Sequence, residues 1–77
     1  MLHKNKFRAK AVEQGLTLKE IAEKTKMSEV SLYRKTNGFS EFTRKELLDL
    51  AKVLDINAND FMDIFFPNYL TETQEVQ

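Results

Sequence analysis

The chain carries the same punctuation twice. Thr17-Leu18-Lys19-Glu20 and Thr43-Arg44-Lys45-Glu46 each read as a capping box, a threonine N-cap followed three residues later by a glutamate that reaches back to the cap amide. Behind each box the positions i, i+3, i+4 and i+7 form a stripe: Leu18, Ile21, Ala22 and Thr25, then Leu47, Leu50, Ala51 and Leu54. That spacing places four side chains on one helix face. No segment alternates with period two, and the strong breakers are Gly15, Gly38 and Pro67 alone. The pattern therefore predicts an all-α fold, a compact bundle of about five helices.

The remaining helices follow from local signals. The first spans about Asn5 to Gln14, with Leu2, Phe7 and Ala11 on one side, and Gly15 supplies the left-handed residue that ends it. Lys26-Met27 interrupts the next helix, and Ser28 is a fresh N-cap. A third helix runs from about Glu29 to Thr36 and stops at Asn37-Gly38. It has one unambiguous core residue, Leu32, which leaves Glu29, Val30, Tyr33 and Arg34 facing away from the body. After a loop from Phe39 to Phe42 the fourth helix ends at Asp55-Ile56. Asn57 caps a last one reaching about Ile64, with Phe61 and Phe65 inward, and Phe65-Phe66-Pro67 closes it. Residues 1–66 are read as one domain and residues 67–77 as a flexible tail.

At 77 residues and 9.0 kDa the chain has room for one small domain. It contains no cysteine and one histidine. These counts exclude a disulfide, a thiolate zinc site, a cysteine nucleophile and a histidine-rich metal centre. His3 is expected to be inert, near a frayed terminus. No catalytic triad, metal cluster or phosphate-cradling glycine loop is present, so neither an enzyme nor a cofactor, metal or small-molecule substrate is expected. No apolar run approaches a membrane span, and the basic first residues lead into no apolar segment of a signal peptide. A cytoplasmic protein without membrane partners is the expectation.

The formal charge is zero, but it is divided. Residues 1–38 hold nine Lys and Arg against four Glu, a net of +5, and residues 39–77 hold three against eight carboxylates, a net of −5. The split suggests one face meeting an anionic partner, or two ordinary solvated surfaces.

The unit from Leu18 to Asn37 has the order helix, tight break, N-cap, short helix, which is that of a helix-turn-helix. Its run of Leu16-Thr17, Glu20-Ile21-Ala22-Glu23-Lys24, Met27-Ser28, Leu32 and Asn37-Gly38, continued by Leu47, Leu50-Ala51, Leu54, Ile56 and Phe61, resembles the helix-turn-helix domain of the lambdoid-phage Cro and repressor type. Met27-Ser28-Glu29, Arg34-Lys35, Asn37-Gly38, Ser40-Glu41-Phe42 and Phe65-Phe66 resemble a subgroup of short phage Cro-like regulators. The likeness covers about residues 5–66.

This resemblance implies a lambda-repressor-like fold and a sequence-specific transcriptional regulator, a Cro-like repressor that binds double-stranded operator DNA as a homodimer. It implies base reading by Ser28, Glu29, Val30, Tyr33 and Arg34, with the Arg34 fork suited to guanine O6 and N7. Phosphate contacts are expected from Thr17, Leu18 and Lys19 at a helix N-terminus, and from Lys35, Asn37, Phe39 and Ser40 beyond the recognition helix. Lys6, Arg8 and Lys10 are expected to add diffuse attraction. Ile64, Phe65, Phe66, Tyr69 and Leu70 form a possible dimer seam.

Three residues depart from the family pattern. Leu18 stands where many relatives place a glutamine that holds a phosphate. Lys26 stands where a glycine often supplies positive φ, which predicts a strained or altered turn. Glu41 lies in a loop where relatives often carry a basic residue. These departures leave open a second function, a modulator, anti-repressor or antitoxin-like protein whose partner is another regulator.

Overall fold

The computed structural model describes residues 2–67, in which five α-helices and no strand occur. They are α1 (Lys4–Glu13), α2 (Leu18–Thr25), α3 (Glu29–Thr36), α4 (Arg44–Val53) and α5 (Ala58–Phe65). Tyr69 and Leu70, named for the seam, and the rest of the tail lie outside the described residues. Both capping boxes form: the Thr17 and Thr43 side chains accept from the amides of Glu20 and Glu46, and each glutamate accepts from the cap amide. Ser28 and Asn57 cap α3 and α5 in the same way, accepting from Ser31 and Asp60.

The core is built from the stripes. Ile21, Leu32, Leu50 and Leu54 are fully enclosed, with Phe7, Ala22, Ile64 and Phe65 buried around them. α2 packs against both α3 and α4, and α1 packs against α5. Leu18, Leu47 and Phe61 pack on this core while remaining partly exposed.

The chain start departs from expectation. Leu2 is buried, the His3 amide donates to the Ile64 carbonyl at 2.7 Å, and His3 Nδ1 accepts from the Lys6 amide at 3.3 Å. His3 is therefore the N-cap of α1, and this end is anchored to α5. A histidine N-cap is outside the usual Ser, Thr, Asp and Asn set, so the sequence gives little sign of it.

The seam also needs correction. Ile64 and Phe65 belong to the core of their own domain, with Phe65 against Phe61 and Phe42 at ring-centroid distances of 4.8 and 6.2 Å. Phe66 alone among the described seam residues is exposed. The hydrophobic gain of the first two is already spent inside one chain.

Lys26 keeps the turn rather than altering it. Its backbone is left-handed, φ 59° and ψ 32°, and the following Met27 amide donates to Ala22 at 2.9 Å. A non-glycine residue pays about 1–2 kcal/mol for that conformation. Lys26→Gly is therefore expected to stabilise the domain by about 0.5–1 kcal/mol, the glycine's greater freedom when unfolded offsetting part of the relief. A rise in the urea midpoint at constant m-value checks this.

The two oppositely charged halves of the sequence meet each other. Lys10 Nζ lies 3.1 Å from Asp60 and 3.8 Å from Glu13, and Lys6 Nζ lies 3.8 Å from Asp63. The hydrogen bond to Asp60 raises the Lys10 pKa above its ordinary value. Lys6 and Lys10 of α1 thus face Asp63 and Asp60 of α5, which accounts for part of the divided charge without any partner.

Candidate nucleic-acid interface

α3 is held by a small number of inward groups. Leu32 is fully enclosed and Thr36 is buried, its hydroxyl donating to the Tyr33 carbonyl at 2.9 Å. The opposite flank is open: Val30 is 70% and Tyr33 56% exposed, and Glu29 and Arg34 are exposed as well. This flank stands beside the N-terminus of α2, and a shallow apolar groove between the two is lined by Leu18, Glu29, Val30 and Tyr33. A larger groove of about 530 Å³ separates α1 from α3, with Arg8, Val12, Leu18 and Tyr33 on its walls.

A clasp fixes α3 from behind. Lys35 Nζ donates to both oxygens of Glu46, at 2.6 and 2.7 Å, and Glu46 Oε1 accepts from the Thr43 amide at 2.8 Å. One carboxylate therefore closes the capping box of α4 and ties it to the last turn of α3. Lys35, expected to reach phosphate, is instead committed to this pair, both side chains being largely covered. The 11-residue separation of the partners and the ordinary look of each residue hide the clasp from sequence reading.

The clasp has a pH signature. Burial pushes the Glu46 carboxyl up, but hydrogen bonds from Lys35 and Thr43 and the Lys35 charge outweigh it, so its pKa falls below the ordinary 4.5. A carboxyl depressed by folding contributes fully above its unfolded value and loses that contribution as pH drops through the lower folded one. The Tm gap between the natural protein and Glu46→Gln is therefore expected to be widest above pH 5 and to close toward pH 3. Thermal melts followed by circular dichroism across that range measure it.

The expected phosphate donors divide in two. At α2 the Thr17 amide and hydroxyl donate to Glu20 at 3.0 and 3.1 Å, and these bonds hold the Glu20 carboxyl below its ordinary pKa. The amides of Leu18 and Lys19 have no acceptor among the described residues. Beyond α3, the Phe39 amide donates to the Arg34 carbonyl at 2.9 Å and so does not point outward. Asn37 is braced on both sides, its Nδ2 donating to Tyr33 and its Oδ1 accepting from Lys4. The Ser40 amide has no acceptor among the described residues.

Of the residues expected to read bases, Ser28 uses its hydroxyl oxygen to accept from the Ser31 amide at 3.0 Å, which leaves the hydroxyl proton available to donate. Arg34 has no carboxylate within 4.0 Å among the described residues, nor do Arg8, Lys19 and Lys26. Arg34 Cζ lies instead over the Phe39 ring, 5.6 Å from its centroid. Among the described residues there is no cluster of potential metal ligands, and no helix is long and apolar enough to cross a membrane.

A short N-capped helix braced across α2, with its outer flank uncovered, defines a helix-turn-helix domain. The chain matches the family model described as helix-turn-helix over residues 7–61, well over half its length, and it belongs to that family, in its Cro/C1-type form. The family is one of DNA-binding transcriptional regulators. Comparison with curated proteins and with solved structures returns no significant match.

Proposed function

We propose that this chain is a sequence-specific regulator of the phage Cro type, which represses transcription by seating α3 in the major groove of an operator and excluding polymerase. The observation that carries this reading is the division of α3: Leu32 and Thr36 lock it to the core while Glu29, Val30, Tyr33 and Arg34 stay uncovered. A B-form major groove admits one helix, and outward side chains of these types match its edges. Arg34 suits guanine O6 and N7, Glu29 suits the cytosine amino group and Val30 suits a thymine methyl. The Leu18 and Lys19 amides and the Ser40 amide supply phosphate contacts, with no polar side chain at Leu18 to add to them. Two copies acting as a homodimer would set their α3 helices about 34 Å apart, one turn of DNA. Phe66 is the described residue left to contribute to a seam.

The test is fluorescence anisotropy with duplexes from the DNA flanking the gene, at 50 and 200 mM salt. Because bound phosphates release counterions, affinity for one duplex is expected to fall at least tenfold between the two. Absence of binding, together with a stoichiometric complex with a neighbouring gene product, would favour the modulator function instead.

A further inference from the structure

Four helices here end in the same way. A residue with positive φ, namely Gly15, Lys26, Gly38 or Asp55, is followed by an amide that donates five residues back. Leu16 donates to Ala11, Met27 to Ala22, Phe39 to Arg34 and Ile56 to Ala51, each at 2.9 Å. Such endings normally return an apolar side chain to the body of the protein beside the last turn. Leu16, Met27 and Ile56 do so and pack against the core. Phe39 does not. It is 68% exposed, and Arg34 lies over its ring. Folding therefore draws little from Phe39, while the same motif sets its ring against the one cation on the outer flank of α3.

We propose that Phe39 is the positioning residue that turns Arg34 into a base-specific donor, holding the guanidinium so that its fork meets one guanine. The inference rests on the DNA-binding reading of α3. A cation 5.6 Å over a ring centroid is attracted to the ring's negative face, and the planar guanidinium fork matches guanine O6 and N7. The Phe39 amide, donating to the Arg34 carbonyl, and the left-handed Gly38, φ 83°, hold the backbones that carry the ring and the arginine within one turn of chain. Arg34 is thus partly ordered before DNA arrives, which reduces the ordering cost of the contact.

The experiment is selection from a duplex library of about 20 base pairs with a randomised centre, sequenced after capture by the natural protein, Arg34→Ala, Phe39→Ala and Phe39→Tyr. The natural protein is expected to enrich guanine at a position where Arg34→Ala shows no preference. Phe39→Ala should weaken that one preference about tenfold, toward the lower end for a bidentate arginine–guanine pair, with other positions and the salt slope unchanged. Phe39→Tyr, which keeps the ring, should restore it. In the free protein the Arg34 Hε resonance should move downfield in Phe39→Ala as the ring current is lost. If Phe39→Ala keeps a guanine preference that Arg34→Ala loses, Phe39 has no positioning role and the DNA-binding reading stands. If the natural protein enriches no sequence, that reading and this inference fall together. Should Phe39→Ala not fold, Phe39→Leu, apolar but without a ring, takes its place.

Discussion

Replacing Leu32 with alanine is expected to lower stability by about 3 kcal/mol, within the range for removing an enclosed leucine. Leu32 is fully enclosed, and it is the main apolar anchor of α3. A domain of this size holds roughly 5–10 kcal/mol in total, so the loss is roughly 30–60% of the whole. For 60–100 residues each kcal/mol moves Tm by about 4–8 °C, which predicts a fall of roughly 12–24 °C. Val30→Ala, two residues earlier on the exposed flank, is expected to change stability by no more than about 0.5 kcal/mol. Thermal melts of the two variants side by side measure how sharply α3 is divided between an inner and an outer face. Equal losses would mean that Val30 is covered and that the flank is not free to meet a ligand.

Arg34→Ala should show the opposite profile. Its side chain is exposed and its guanidinium lies over an exposed ring, so Tm is expected to move by only a few degrees. On a selected duplex, affinity is expected to fall about 10- to 100-fold, the value of a bidentate contact to guanine. On unselected DNA the loss should be several times smaller. Arg34→Lys keeps the charge but not the planar fork, and is expected to retain unselected binding while losing most of the preference. Titrations of both duplexes with the three proteins separate charge from recognition. A uniform loss on both duplexes would reduce Arg34 to a phosphate contact.

What could be read from the sequence is what is decided locally. Thr17, Ser28, Thr43 and Asn57 cap because their side chains and the amides they bind lie within three residues, and all four caps form. The outward set on α3 follows from helical period alone. Lys26 takes the strained left-handed backbone that the missing glycine foretells, but the turn is not altered: the cost is small against the packing of α2 on α3. The remainder depends on partners remote in the chain. Lys35 meets Glu46 across a loop, and Lys10 meets Asp60 across 50 positions, so neither could be separated from a solvated cation. Ile64 and Phe65 look the same in sequence whether they close their own core or that of a second copy. The role of the Phe39 ring is hidden for a related reason: its backbone obeys a common helix ending, and only its side chain breaks the rule.

Amide shifts of isotopically labelled protein, followed by NMR as an operator duplex is added, bear most directly on the placement of α3. The account predicts shifts from Ser28 to Arg34 and at Leu18 and Lys19, with the α5 residues Asp60 to Ile64 unmoved. Shifts gathered on the α1–α5 side instead, with α3 silent while the domain stays folded, would contradict it.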